Sequence, residues 1–204
     1  ACKKAVAACS QSKSKWRKEP LAKRKDKVLS VLDDMDKAKE FLAFLLVWEI
    51  GKPYGQALDG VNRCISGVRW YLDNIEEMLG DRQPVGVVSN IASWNYPLSV
   101  LVHACLVQLL CGNTVIAKTP SDGGLFALTV CFAIGHRHGL PMSLVSGSGA
   151  VLSEALVKND QVDCLSYVGG KSNGRIIAAS LYDRNKRYML EMEGVNTYGV
   201  WDFS

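Results

Sequence analysis

No stretch of this chain is apolar for long enough to cross a bilayer. Its two longest apolar runs, 41–50 and 98–110, fall short of the roughly 18–20 residues a spanning helix needs, and His103 and Gln108 interrupt the second. No apolar core follows the N-terminus, so no secretory signal is expected, and the initial Ala in place of Met is read as a processed or incomplete start. The seven cysteines are odd in number and scattered, with no CxxC pair, so neither a disulfide framework nor a thiolate metal site is expected. They sit mostly inside apolar runs, as buried free thiols of an intracellular, reducing compartment do. There are three histidines, His103, His136 and His138, none with an acidic or thiol neighbour that would give it chemistry. Internal repeats and low-complexity tracts are absent as well. A content of 48% hydrophobic and 22% charged residues excludes a disordered chain.

Charge is present but uneven. Residues 1–27 carry ten Lys/Arg against two acids, whereas the remainder carries fourteen against eighteen. Such a head reads as a frayed terminus, the solvated face of a helix, a leftover targeting segment, or a contact for an anionic surface. No aromatic stacking pattern accompanies the charge, so nucleic acid is not an expected partner.

Hydrophobic spacing predicts a helix from Pro20 to about Ile50, closed by Gly51-Lys-Pro53, and another from about 56 to 79, stopped at Gly80. From Pro84 the pattern changes. Strand-like segments at 85–91, 114–117, 143–145 and 162–168 alternate with helical ones at 98–110, 125–136, 151–158 and 173–181; 188–191 and 198–201 read as further strands. The expected fold is α/β: an open, mostly parallel, Rossmann-like sheet with helices on both faces, preceded by an N-terminal helical segment.

Sites in such sheets lie at the carboxyl ends of strands. Five segments fall there. Asn95, in Ile91-Ala-Ser93-Trp94-Asn95-Tyr-Pro97, can aim amide N–H donors at an oxygen that becomes negative during reaction; alone it is equally a capping Asn in a strand-to-helix turn. Lys118, ahead of Ser121, can hold ribose hydroxyls or a phosphate, or simply be solvated. Gly169-Gly170-Lys-Ser-Asn-Gly174 lets backbone approach a pyrophosphate at a helix N-terminus, although its spacing is not Gly-x-Gly-x-x-Gly. Gly147-Ser-Gly149 offers a similar loop. Glu191 and Glu193, two apart, would share a face if both lay in a strand; paired carboxylates also occur in glycosidases, but nothing else here supports that chemistry.

The order and spacing of these segments resemble the aldehyde dehydrogenases over essentially the whole chain, from about Trp16 to Ser204. Ser93-Trp94-Asn95-Tyr96-Pro97 is similar to the family's Pro-Trp-Asn-Phe-Pro. Lys118-Thr-Pro-Ser121 is similar to Lys-Pro-Ser-Glu. Tyr167-Val-Gly-Gly170 is similar to Phe-Thr-Gly-Ser, and Gly147-Ser-Gly149 to Thr-Gly-x-Gly. Leu190-Glu191-Met-Glu193-Gly-Val-Asn196 is similar to Leu-Glu-Leu-Gly-Gly-Lys-Asn. Gly51-Lys-Pro53, Gly112-Asn113-Thr114 and Gly139-Leu-Pro141 fall in register. The resemblance implies NAD or NADP as coenzyme and an aldehyde as substrate. Asn95 and Glu191 are then the catalytic oxyanion donor and general base, a role that an apolar setting favours by making a carboxylate more basic. Ile91, Ser93, Trp94, Lys118, Ser121, Gly147, Gly169, Gly170 and Gly174 are implied for coenzyme binding.

The departures matter as much. Ser121 stands where the family has Glu, so no carboxylate there repels a 2′-phosphate and NADP stays open. Gly170 replaces a phosphate-contacting Ser, so binding weakens. Glu193 replaces a Gly. No cysteine sits in the family's Gly-Gln-x-Cys setting. Only twelve residues separate Tyr71 from Pro84, where the family usually inserts an oligomerisation hairpin. The expected organisation is a basic, flexible segment over 1–19, helices over 20–83 packed on the next unit, and a Rossmann-like dinucleotide-binding domain over 84–204. The chain is read as the coenzyme-binding part of an enzyme whose thiol domain, or another subunit, completes it. The alternative is a non-catalytic scaffold.

Overall fold

Five parallel strands run in the order β3-β2-β1-β4-β5: β1 (Val87–Ile91), β2 (Thr114–Lys118), β3 (Met142–Val145), β4 (Cys164–Gly169) and β5 (Arg187–Met192). This computed structural model describes residues 1–204 apart from Asn185, Val195, Tyr198, Phe203 and Ser204. Parallel strands need crossovers, and helices supply them: α5 (His103–Leu110) after β1, α6 (Leu125–Arg137) after β2, α7 (Gly149–Leu156) after β3 and α8 (Lys171–Leu181) after β4. The chain first steps outward from β1 to β3, then returns to the other side of β1 with β4. Right-handed crossovers therefore place α5 and α6 on one face and α7 and α8 on the other. The order reverses between β1 and β4, which makes their carboxyl ends the switch point of the sheet. The expected open α/β sheet is observed. Its central strands are buried on both sides, which is why they read as continuous apolar runs: all five residues of β2 are buried.

The terminal strand expected at 198–201 is not found among the described residues. Gly199, Val200 and Trp201 lie outside any strand, and Tyr198 is outside the described residues.

Four helices precede the sheet: α1 (Cys2–Arg17), α2 (Leu21–Lys37), α3 (Lys39–Ile50) and α4 (Tyr54–Leu79). The single helix expected from Pro20 to Ile50 is two, broken at Ala38 (φ −98°, ψ 7°). No Gly or Pro marks the break, so the apolar spacing runs through it. Contacts beyond the helix hold the bend. Asp34, near the end of α2, accepts from Arg137 Nη2 at 2.5 Å and faces His138 Nε2 at 2.7 Å, at the end of α6. Hydrogen bonds from His138, Lys37 and Arg137 hold the Asp34 carboxyl well below the usual carboxylate range. Between Tyr71 and Pro84 the chain completes α4 and turns at Gly80, with no hairpin.

The basic head, expected as a flexible segment, is helical in this structure. It forms α1, which covers β2 and β3 on the α7 face. Val6, Cys9 and Trp16 are buried, and with Val87, Ile116 and Leu156 the first two build a satellite core. Trp16 Nε1 donates to Leu109 O at 3.0 Å, and Thr114 Oγ1 donates to Cys9 O at 3.1 Å. Lys3, Lys4 and Lys15 are exposed, as on the solvated face of a helix, one of the readings of such a run. Apolar spacing is sparse in α1, and the charge count hid its buried stripe.

Asp163 ties α1 to the sheet. Its Oδ2 accepts from Lys13 Nζ at 3.0 Å and from Val87 N at 2.7 Å. Gly86, at φ +125°, must be glycine here, because a Cβ would run into that carboxylate. Asp163→Ala leaves the first amide of β1 without its acceptor and is expected to cost about 1–3 kcal/mol, read as a lowered urea midpoint with an unchanged m-value. Loss of stability confined to the α1 amides in hydrogen exchange would show instead that the sheet tolerates the change.

Candidate functional site

A cavity of about 490 Å³ opens at the switch point, on the α7/α8 side of the sheet. That size is ordinary for a small-molecule site. The register builds it directly. Ile91 ends β1, Lys118 is its partner on β2 and Tyr167 its partner on β4, so three neighbouring side chains emerge on one face. The loops that follow complete the walls. Ser93 and Trp94 come after β1, Ser121 and Asp122 after β2, and Gly169 and Gly170 after β4. Leu156 and Ile177 close the apolar floor.

Lys118 is buried, at 6% exposure, and Nζ donates to Thr119 O at 2.7 Å. Burial pulls its pKa down, and Asp122 pulls it back up. A desolvated cation in a concave wall is poised to meet hydroxyl or phosphate oxygens entering the cavity. Sequence reasoning stopped at Ser121 and passed over Asp122, which lines the cavity one residue later and returns a carboxylate to the neighbourhood.

Tyr167 was another omission. Its ring lines the cavity, and its hydroxyl donates to Gly170 O at 2.8 Å, which pins the turn into α8. A polar tip at the end of a buried strand was the available signal. Burial raises the Tyr167 pKa first; Asn173 lowers it by hydrogen bonding, and the nearby Glu193 charge raises it.

Two expected coenzyme glycines lie outside the lining, Gly147 and Gly174. Gly174 N already donates to Gly170 O at 3.1 Å, so its amide is not free for a phosphate. Its missing Cβ makes room for Met192 Sδ instead, which packs α8 against β5. Gly147 precedes Ser148, the cap of α7, whose Oγ accepts from Val151 N at 3.4 Å.

The expected catalytic pair lies outside the cavity wall. Asn95 is exposed, and Ser93 Oγ donates to its Oδ1 at 2.6 Å. In that bond Oδ1 is the acceptor, and Nδ2 is the donor end of the amide. Lys52, from Gly51-Lys-Pro53, sits 3.6 Å over the Tyr96 ring and braces the same turn. The residues after Tyr96 form a π-helical turn, Pro97–Val102, rather than the regular helix start expected. Glu191 lies on β5, opposite Val168, and is exposed. The apolar setting expected around it is not supplied by the described residues, because β5 is the uncovered edge of the sheet. Glu193 does not share its strand face either. It follows the end of β5 at φ +38°, and its carboxylate turns toward α8.

The cysteines stand apart from all of this. Cys64, Cys105 and Cys131 are fully buried among the helices, and burial raises all three thiols, that of Cys131 to about 12. None of the seven lines the cavity, and all are unpaired. No helix among the described residues is long and apolar enough to cross a membrane. No cluster of the described residues could hold a metal ion.

Comparison with known proteins agrees with this architecture. The chain is 29% identical over 218 residues to an alpha-ketoglutaric semialdehyde dehydrogenase of Bacillus subtilis (strain 168), a match that covers 98% of this chain and 44% of that protein. The crystal structure of an aldehyde dehydrogenase from Brucella melitensis biovar abortus 2308 superposes with a TM-score of 0.88 at 25% identity, covering 95% of this chain and 43% of that one. An NADP-dependent glyceraldehyde-3-phosphate dehydrogenase from Bacillus halodurans C-125, complexed with NADP, superposes with a TM-score of 0.85 at 25% identity and covers 95% and 44%. The chain thus spans less than half the length of these relatives. The model of the aldehyde dehydrogenase family matches residues 1–203, and the chain belongs to that family.

Proposed function

We propose that this chain is the coenzyme-binding part of an NAD(P)-dependent aldehyde dehydrogenase. The observation that carries the reading is the cavity at the switch point, in which Ile91, Trp94, Lys118, Gly169 and Gly170 converge. Bound NAD or NADP would accept hydride from the aldehyde carbon. The chain's own residues would do the rest of the work available to them. Lys118 and Ser121 would hold the adenosine ribose, and Gly169 and Gly170 would let the pyrophosphate approach the start of α8. Asn95 Nδ2 would donate to the oxygen that becomes negative when a thiolate adds to the aldehyde. Glu191 would take a proton from the water that hydrolyses the resulting thioester. The thiolate would come from outside residues 1–204, on a further domain or another subunit, which would also enclose Glu191. Seven unpaired thiols fit an intracellular, reducing compartment.

Titration calorimetry of the chain with each coenzyme tests this. Binding is expected to be weak, with NAD favoured over NADP by less than about tenfold, roughly 1.4 kcal/mol. Ser121 carries no charge, and that of Asp122 is partly offset by Lys118. Lys118→Met is expected to weaken both coenzymes by about tenfold or more. Equal affinity of wild type and Lys118→Met would remove the residue from the site. The alternative, a non-catalytic scaffold on the same fold, draws on the exposure of Glu191 and on Glu193; it predicts no coenzyme binding at all.

A further inference from the structure

Glu193 does something that no glycine in its place could do. Its Oε1 accepts a hydrogen bond from Lys171 N at 2.9 Å. Lys171 is the first residue of α8, and its amide is one of the few at that end with no carbonyl partner inside the helix. The neighbouring residues Gly170 and Asn173 belong to the cavity wall. The carboxylate also acts electrostatically on the hydroxyl of Tyr167, another wall residue. To reach this position the chain accepts φ +38° at a residue with a side chain, just past the end of β5. The positive end of α8 and one of its free donors are therefore already engaged by an anion of the protein itself.

We infer that Glu193 is an internal competitor for the anionic part of the coenzyme: its carboxylate occupies the α8 amide, and its charge repels the pyrophosphate. The inference rests on the coenzyme reading above and deepens it, because it names the residue that sets affinity. A bound dinucleotide must displace the side chain or tolerate a like charge beside it, and either lowers affinity without touching the ribose contacts. Both coenzymes carry the pyrophosphate, so both are weakened alike.

Three proteins separate the contributions: the 204-residue chain, Glu193→Gln, which keeps an acceptor and loses the charge, and Glu193→Gly, which loses both. Each is titrated with NAD, with NADP and with inorganic pyrophosphate, and thermal midpoints confirm that each is folded. The expected result is binding at least about tenfold tighter for Glu193→Gly with all three probes, with Glu193→Gln in between. The Lys171 amide resonance should shift on substitution in the absence of any probe. If wild type binds the dinucleotides and Glu193→Gly binds them no better, the competitor assignment is overturned while the coenzyme reading stands. If neither wild type nor either folded variant binds a dinucleotide, both fall together.

Discussion

Residues 1–204, supplied with an aldehyde and either coenzyme, will form no NAD(P)H above background. The expectation follows from where the thiols are. Aldehyde oxidation through a thioester needs a thiolate within reach of both the oxyanion donor and the hydride acceptor. Cys64, Cys105 and Cys131 lie inside the helical layer, and burial holds them as thiols. Cys9 is on α1, under the sheet, donating to Val115 O at 3.2 Å. Burial raises the Cys111 pKa, and Arg24 draws it only partly back down. Cys2 and Cys164 are raised by burial too. None lines the cavity, and burial keeps each pKa above that of a free thiol despite the cations near Cys111 and Cys164. The loss is of the nucleophile itself, so the effect is not a reduced rate but the absence of turnover. NAD(P)H absorbance followed over many equivalents of aldehyde is the measurement. Sustained turnover that disappears on thiol alkylation would show that one of these cysteines reaches the Asn95 turn, and would overturn the placement of the nucleophile elsewhere.

The sheet was legible because both of its faces are covered. Buried parallel strands leave unbroken apolar runs between turn residues, and those runs located β1 and β2 to within two residues. The same reasoning missed α1, since a helix that buries only Val6, Cys9 and Trp16 along sixteen residues shows its charge and hides its stripe. The bend at Ala38 was invisible because no Gly or Pro marks it, and the contacts beside it join Asp34 to Arg137 and His138, about a hundred residues away in sequence. At the site, strand ends were legible because they are where loops begin. Ile91, Ser93, Trp94, Lys118, Ser121, Gly169 and Gly170 line one cavity. What spacing alone cannot reveal is which amide is already spent. Gly174 looked like a phosphate glycine, but its N–H belongs to the helix ladder and its bare Cα belongs to Met192. Glu193 looked like half of a carboxylate pair, and only the turn after β5 shows that it points back at α8.

The isolated chain will self-associate through the β5 flank. Among the described residues β5 is an edge strand paired only with β4, and such an edge is a template for another chain. Natural proteins blunt such edges with charge, bulges or cover; β5 carries Arg187 and Glu191 but leaves apolar side chains exposed between them. Tyr188, Met189 and Met192 are exposed along it. The register explains why cover is missing on one face in particular. Met189 aligns with Ser166 and Asn90, and Asn90 bonds to Gln108 of α5, so Met189 lies on the α5 face beyond the last helix that covers it. Asn95 and Glu191 are exposed as well, and a partner domain seated there would bury them together with this strip. A contiguous apolar patch of more than a few hundred Å² is unusual for a monomer. Sedimentation velocity should therefore show concentration-dependent association, with dye-binding hydrophobic surface, and a partner covering the Asn95/Glu191 side should suppress both. Met189→Lys places a charge at the exposed edge without entering the core, and should weaken association by about tenfold or more. A clean, stable monomer that binds no dye would instead favour the scaffold alternative over a coenzyme-binding part awaiting its thiol domain.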